Sequence, residues 1–215
     1  MFNRLVKFST DIAMLVSSQR RVDNKTREVL LPRAVRQTLT EAGRLAAARQ
    51  LTTGVLSEIS MRLPGDKLAI NVNGAWFPHL SEDDFVVAAL AHERTIIKSL
   101  PPSQHVNWHR WAYTSTPALA ALLCQPAATV LAALKGCLPA AGMLAEMPEL
   151  ASDVPLVAPT DEEIQKSLVS HPVLFIQGYG LFIWGQDLFQ ILALAETIDL
   201  WCKVSLSEQG ARGNA

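Results

Sequence analysis

The hydrophobic pattern is clearest late in the chain, where two apolar runs flank a glycine-rich turn. Residues 173–185 read VLFIQGYGLFIWG, and their content of Val, Ile, Leu and Phe is typical of β-strands. Gly178 and Gly180 supply the backbone freedom that a tight turn requires. Apolar side chains then recur at helical spacing over residues 186–204. The pattern predicts a β-hairpin that leads into a long helix, which covers one face of a sheet.

The first half of the chain predicts a helix followed by a second hairpin. Residues 32–50 are rich in helix formers and carry an apolar stripe. Residues 55–62 alternate between apolar and polar side chains, as a half-buried strand does, and residues 67–72 form a second such run. The sequence Pro-Gly-Asp at 64–66 lies between the two runs and is a strong turn signal.

The middle of the chain is ambiguous at one place. Ser81 and the acidic residues after it are typical of a helix start. Residues 85–97 are compatible with a continuing helix or with two strands, FVVAALA and TIIKSL, and we favour the strands. The other predicted elements are a helix after Pro102, a buried strand over 119–124, a helix over 126–134, a strand over 154–157 and a helix capped by Thr160, with Glu163 in capping-box register.

Alternating strands and helices with several hairpins predict an α/β domain with a mixed, mostly antiparallel sheet and helices packed on its faces. We place this domain at residues 32–206. Residues 1–31 are predicted to be an N-terminal extension, mostly an amphipathic helix, and residues 207–215 a flexible tail.

Composition narrows the classes of function. The chain has 215 residues, 49% of them hydrophobic, which is enough for one domain with a sizeable core. Its net charge of -1 gives no reason to expect nucleic acid or an anionic membrane as a partner. The three cysteines form no CxxC pair, and the apolar run at 12–16 is too short for a secretory core or a membrane span. We therefore expect a cytoplasmic protein.

A few polar and aromatic side chains suggest chemistry. His105 and His109 are four residues apart on a predicted helix, a spacing that can bind metal. The alternative, which we favour, is that one caps or lines the helix and the other is a hydrogen-bonded core or interface residue. Glu58 and Arg62 share one face of a strand and are interpreted as a surface ion pair. The loop dipeptide Trp76-Phe77 is a candidate for an exposed apolar contact.

Several motifs in sequence order resemble the class II aldolase/adducin family. The most specific are ISMRLPGDKLAINVNG at 59–74 and LFIQGYGLFIWG at 174–185, with PPSQHVNWHRWAY at 101–113 between them. The resemblance implies a three-layer α/β/α fold around a mixed, mostly antiparallel sheet. It also implies a homo-oligomer, with a tetramer as the common state in the family.

The resemblance locates a metal site whose ligands differ here. In the family, a divalent metal, commonly zinc, is held by a His-x-His motif at the end of the strand written LLCQP in this chain. A third histidine lies in an Asn-His-Gly turn. The His-x-His positions are Cys124 and Pro126, and the turn is Gly178-Tyr179-Gly180. We therefore expect no metal and no metal-dependent sugar-phosphate aldolase or epimerase reaction.

The acid/base and phosphate positions of the family also differ. Where family enzymes carry Ser-Ser-Glu, this chain has Ser103-Gln104-His105, so His105 takes the place of the proton-shuttling glutamate. Ser-Gly-Asn becomes Leu56-Ser57-Glu58, and a carboxylate at 58 would repel phosphate. Thr-Pro-Ser-Gly becomes residues 71–74. The candidate substrate-binding residues carried over from the family are Ser57, Asn73, Gly74, Ser103 and Gln104.

These substitutions favour a diverged family member that acts as a binding or assembly protein. It would bind a small-molecule ligand or a protein partner and would need no cofactor. The alternative is a lyase, epimerase or dehydratase for a small carbonyl or sugar substrate. It would use His105 as acid/base, with Cys124 and Tyr179 as ligand, nucleophile or proton donor, and zinc or another divalent metal at a rebuilt site. In a third hypothesis, residues 1–31 mediate contact in a larger assembly.

Overall fold

The computed structural model of the chain describes residues 31–91, 100–136, 138 and 154–212. The elements in these ranges are α1 (Arg33–Ala48), β1 (Glu58–Leu63), β2 (Lys67–Asn71), β3 (Phe85–Ala89), α2 (Val106–Ser115), β4 (Ala120–Cys124), α3 (Ala127–Lys135), β5 (Leu156–Val157), α4 (Asp161–Leu168), β6 (Val173–Ile176), β7 (Gly180–Gly185) and α5 (Leu188–Arg212).

The strands form one sheet in the order β3-β2-β1-β4-β7-β6-β5. Neighbouring strands are antiparallel except for β5 and β6, which pair in parallel. Helix α2 packs with α4, whereas α5 packs with α1 and α3. The predicted fold class, an α/β/α arrangement around a mixed and mostly antiparallel sheet, is confirmed.

Local sequence signals explain most of the elements. Both predicted hairpins form, at β1–β2 and β6–β7. The Thr160 side chain accepts a hydrogen bond from the Glu163 backbone, which caps α4 as predicted. Ser81 and Asp84 form a capping box, but it starts a short 3-10 turn (Glu82–Asp84) that leads into β3 rather than into a long helix. The first of the two predicted strands is therefore confirmed over Phe85–Ala89.

Some predictions are corrected or lie outside the described residues. Helix α5 continues to Arg212, past the predicted end of the domain at 206. Trp76 is 53% exposed, but Phe77 is fully buried in a 3-10 turn, so only the tryptophan is available for a surface contact. Residues 1–30 and most of the predicted strand TIIKSL lie outside the described ranges. Within those ranges, no helix combines the length and hydrophobicity needed to cross a membrane.

The topology brings five chain segments to one end of the sheet. Strands β1 and β4 are antiparallel, so the start of β1 lies beside the end of β4. By the same rule, the end of β2 and the start of β7 lie at this end of the sheet. Residues 101–105, which lead into α2, are held at this end of the sheet by hydrogen bonds that the backbone N–H groups of Asn73 and Ser103 donate.

Candidate functional site

A cavity of about 360 Å³ opens at this end of the sheet. It brings together seven of the eight candidate residues from the sequence, namely Ser57, Asn73, Gly74, Ser103, Gln104, His105 and Tyr179. The remaining lining residues are Val55, Leu56, Glu58, Asn71, Gln125 and Gly178. This volume suits a small molecule.

The wall of the cavity contains an imidazole–carboxylate pair. Glu58 Oε1 lies 2.8 Å from His105 Nδ1 and also accepts a hydrogen bond from the His105 backbone N–H at 3.1 Å. The other carboxylate oxygen, Oε2, lies 3.4 Å from His109 Nε2. Glu58 is only 3% exposed, so its interpretation as a surface partner of Arg62 is wrong.

The pair forms because residues four apart at the start of α2 and residues two apart in β1 lie on the faces of these elements that contact each other. His105 immediately precedes α2, and His109 lies four residues on, so both histidines lie on the helix face that packs against β1. Glu58 is the first residue of β1, and its side chain points to the same side of the sheet as Ser60, which contacts His109. A signal was therefore present in the sequence, since two histidines at i and i+4 can face one carboxylate of a neighbouring strand.

The environment of Glu58 favours its ionised form. Burial alone would raise the pKa of this carboxyl group, but hydrogen bonding and electrostatic attraction to His105 and His109 together outweigh burial and lower the pKa to about 2. At neutral pH the Glu58 carboxylate on the cavity wall is therefore ionised. Because Nδ1 of His105 is engaged by this carboxylate, Nε2 is the ring nitrogen that remains for a ligand.

Aromatic rings hold the His105 side chain in place. The centroid of its ring lies 4.2 Å from that of Trp108 and 5.1 Å from that of Tyr179, which it meets edge to face. Trp108 is itself anchored by a hydrogen bond from its Nε1 to Asp161 on α4. Contacts on several sides leave the imidazole little freedom, which is the preorganisation that a reacting or binding group needs.

The other polar groups of the cavity fall into two sets. The first set serves the fold, since Ser57 Oγ donates to Gln125 Oε1 at 2.8 Å and Asn71 Oδ1 accepts from the Ile59 backbone at 2.7 Å. The second set is available to a ligand: Asn73 and Gln104 are exposed, and Ser103 is buried, with no hydrogen-bond partner for its hydroxyl oxygen among the described residues.

Cys124 is not part of the cavity, contrary to its inclusion in the candidate site. Glu58 pairs with Leu123 across β1 and β4, so the next residue, Cys124, points to the opposite face of the sheet. Its thiol is fully buried, and burial, with a smaller effect of Asp199 on α5, raises its pKa well above the usual range. A thiolate that could attack a substrate or bind zinc is therefore disfavoured.

The side chains at the family's metal positions do not fit a metal ion. Cys124 faces away from the cavity, Pro126 has no donor atom, and only Tyr179 of the three lies on the cavity wall. In the ranges that the structure describes, no group of three or more His, Cys, Asp or Glu side chains is arranged to hold a metal. Both nearby histidines are instead directed at Glu58 and Ser60.

Comparison with known proteins gives a family match and a curated relative. Residues 37–206 match the sequence profile described as Class II Aldolase and Adducin N-terminal domain. The chain is 29% identical over 186 residues to a probable bifunctional methylthioribose-1-phosphate isomerase/methylthioribulose-1-phosphate dehydratase from Nocardia farcinica. The match covers 74% of this chain and 33% of that protein, so the chain spans about a third of the relative's length.

Solved structures share the fold at low sequence identity. The L-fuculose-1-phosphate aldolase of Thermus thermophilus matches with a TM-score of 0.72 and 20% identity, over 83% of this chain and 96% of that one. YgbL of Klebsiella pneumoniae, a putative aldolase/epimerase/decarboxylase, matches with a TM-score of 0.69 and 20% identity, over 80% and 88% of the two chains.

Proposed function

The chain belongs to the Class II Aldolase and Adducin N-terminal domain family, and from this premise we propose that it is a diverged member that binds a small hydroxylated carbonyl compound without a phosphate group. In this proposal it acts as a binding or assembly protein. It does not carry out the metal-dependent sugar-phosphate aldolase or epimerase reaction, and it needs no cofactor.

The position of Glu58 is the observation that carries this proposal. Its carboxylate is ionised at neutral pH, lies on the cavity wall and is held there by His105. No lysine or arginine is among the described residues that line the cavity. A phosphate group in this space would meet a buried like charge in a medium that screens poorly, which costs free energy. The hydroxyl of Ser103 and the amides of Asn73 and Gln104 suit the hydroxyl and carbonyl groups of an uncharged ligand instead.

This ligand class differs from that of the named relatives. The curated relative and the structural neighbour from Thermus thermophilus are both named for phosphorylated compounds. Among the described residues of the cavity wall, only the imidazole of His105 could offer a positive charge to a phosphate, and that ring is already bound to Glu58. The proposal therefore predicts a change in ligand charge within a shared fold.

Matched pairs of ligands test this proposal. We expect the metal-free protein to bind dihydroxyacetone or L-fuculose at least about tenfold more tightly than the corresponding phosphate, since tenfold is about 1.4 kcal/mol and one buried like charge supplies that much. In Glu58→Gln this preference should fall by about tenfold. Isothermal titration calorimetry measures both affinities, with Glu41→Gln, an exposed carboxylate on α1, as the control. Tighter binding of the phosphorylated member by wild type would contradict the proposal.

A second candidate function is favoured by the Glu58–His105 pair itself. A carboxylate that engages Nδ1 orients an imidazole so that Nε2 can remove or return a proton, as a general acid/base requires. With a carbonyl compound in the cavity, the reaction class is proton transfer at the carbon next to the carbonyl, as part of a lyase, epimerase or dehydratase reaction. The name of the curated relative includes a dehydratase. In this version the Ser103 hydroxyl is available to donate a hydrogen bond to the developing oxyanion.

Assembly into a homo-oligomer remains a proposal, with a tetramer as the expected state, and so does a cytoplasmic location. Two exposed apolar side chains lie at the cavity, Val55 at 48% and Leu56 at 60% exposure. A second copy of the chain placed over this end of the sheet would cover them and narrow the cavity.

A further inference from the structure

A line of buried polar groups runs from the cavity wall into the protein interior. It begins at Glu58 and continues through His109 and Ser60 to Tyr113. His109 Nδ1 lies 2.7 Å from Ser60 Oγ, and the same oxygen lies 2.6 Å from the hydroxyl of Tyr113. Ser60, His109 and Tyr113 each have no measurable exposure. Four polar side chains buried together need a consistent set of hydrogen bonds, because an unmatched group would cost stability.

Secondary structure explains how the four groups are aligned. Glu58 and Ser60 are two residues apart in β1, so their side chains share one face of the sheet. His105, His109 and Tyr113 follow at intervals of four residues along one face of α2 and the residue before it. Side chains two residues apart in β1 therefore lie opposite side chains about one helical turn apart in α2. As a result, successive contacts along the line join a strand residue to a helix residue.

The chemistry of the end groups sets the direction of the hydrogen bonds. The Glu58 carboxylate can only accept. Its Oε2 faces His109 Nε2 at 3.4 Å, and neither of these buried atoms has a hydrogen-bond partner elsewhere or at ideal geometry among the described residues. If Nε2 carried no proton, two lone pairs would face each other in the interior, which is unfavourable. A proton on Nε2 removes that conflict.

The other end of the line agrees with this direction. Burial raises the pKa of Tyr113 above its usual range, so its phenol remains a proton donor. If Tyr113 donates to Ser60, the Ser60 hydroxyl is free to donate to Nδ1 of His109. A neutral His109 with its proton on Nε2 then satisfies every group in the line.

We propose that His109 is a positioning residue of the cavity: Tyr113 donates to Ser60, Ser60 to His109 and His109 to Glu58 Oε2, which holds the carboxylate so that Oε1 binds Nδ1–H of His105 and leaves Nε2 for the ligand. This inference rests on the proposed function and deepens it, because it explains what holds the imidazole–carboxylate pair in the orientation that leaves His105 Nε2 for the ligand. It assigns His109 no contact with the ligand, since His109 does not line the cavity.

Nuclear magnetic resonance of ¹⁵N-histidine-labelled protein tests this proposal without any ligand. Two-bond ¹H–¹⁵N correlations show which ring nitrogen carries the proton, and single His→Gln variants assign the five histidines. At and above neutral pH, we expect His109 to be a single Nε2–H tautomer and neutral His105 a single Nδ1–H tautomer. Wild-type His109 protonated on Nδ1, alone or together with Nε2, would overturn the proposal.

A matched pair of variants tests the positioning role. The amide nitrogen of glutamine takes the place of Nε2, whereas that of asparagine takes the place of Nδ1. We therefore expect His109→Gln to preserve the single tautomer of His105 and His109→Asn to lose it. An unchanged His105 tautomer in folded His109→Asn would overturn the proposal. If that variant does not fold, Glu58→Gln replaces it: an amide cannot accept from both rings, so His105 or His109 should lose its single tautomer, and unchanged tautomers at both histidines would overturn the proposal.

These outcomes are independent of the ligand titrations. Should the carbonyl compounds fail to bind while the tautomers are as expected, the proposed function fails and the hydrogen-bond line stands. If the carbonyl compounds bind as expected but the tautomers do not, the proposed ligand class stands and the proposed role of His109 fails.

Discussion

The Gly180→Ala variant is expected to lose about 4 kcal/mol of the free energy of unfolding, because backbone strain at this residue and a steric clash with backbone atoms add together. Gly180 begins β7 with a φ of +107°, a conformation that residues with a side chain rarely adopt. A Cβ placed there would lie 2.7 Å from the carbonyl oxygen of Cys124 and 3.2 Å from Cα of Gln125. Both are backbone atoms of the neighbouring segment, so relief requires movement of the end of β4, beside the cavity.

Gly54→Ala separates the two causes in the Gly180 prediction. Gly54 has a φ of +59°, and a Cβ there would have nothing within 4 Å. Its substitution should therefore cost only about 1 kcal/mol, the price of the left-handed conformation alone. Urea denaturation measures both variants. A loss in Gly180→Ala no larger than in Gly54→Ala would mean that the hairpin turn carrying Tyr179 is not packed against β4 in this way.

The His105→Gln variant is expected to lower the rate of proton exchange at the carbon next to a ligand carbonyl by about 10²- to 10⁴-fold, the usual contribution of a general base. In the proposed step, Nε2 takes the proton, the electrons of the C–H bond form the C=C bond, and the carbonyl electrons move to oxygen. The return of a deuteron from solvent then labels the carbon. The exchange rate is measured in D₂O, where proton NMR follows the decrease in the C–H signal of dihydroxyacetone as deuterium replaces hydrogen.

The control for that experiment is His171→Gln. His171 Nδ1 lies 3.3 Å from the backbone oxygen of Ser167, and the residue does not line the cavity. Its substitution should leave the exchange rate unchanged. If the wild-type protein binds dihydroxyacetone but gives no exchange above the solvent rate, the enzyme candidate is wrong and the binding function remains.

Much of the fold could be predicted because its signals are local. The turn at Pro64-Gly65-Asp66 and the glycines at 178 and 180 separate apolar runs that the structure shows as paired strands. The spacing of His105 and His109 correctly placed both on one helix face, with His105 preceding the helix and His109 hydrogen-bonded in the core. The end of α5 was missed because the polar residues after Leu206 carry no glycine or proline that would stop a helix before residue 210.

The site was predicted less well because it depends on which face of each strand is buried. Alternation in β1 placed Glu58 and Arg62 on one face but could not show that α2 covers the Glu58 end of that face. The resemblance placed Cys124 in the pocket through its position in the family motif, yet the register of β1 against β4 turns its side chain to the other face. Which face of a strand lines the cavity depends on tertiary structure. Because side chains alternate between the two faces, a one-residue shift along a strand exchanges a cavity residue for a core residue.

The zinc content of the purified protein after equilibrium dialysis against zinc distinguishes a site built from Glu58 and His105 from a rebuilt metal site. We predict far less than one bound zinc per chain, with no change in Tyr179→Phe or Cys124→Ala. Near one zinc per chain, lost in either variant, would contradict a metal-free site and show that a new ligand set has rebuilt the metal site.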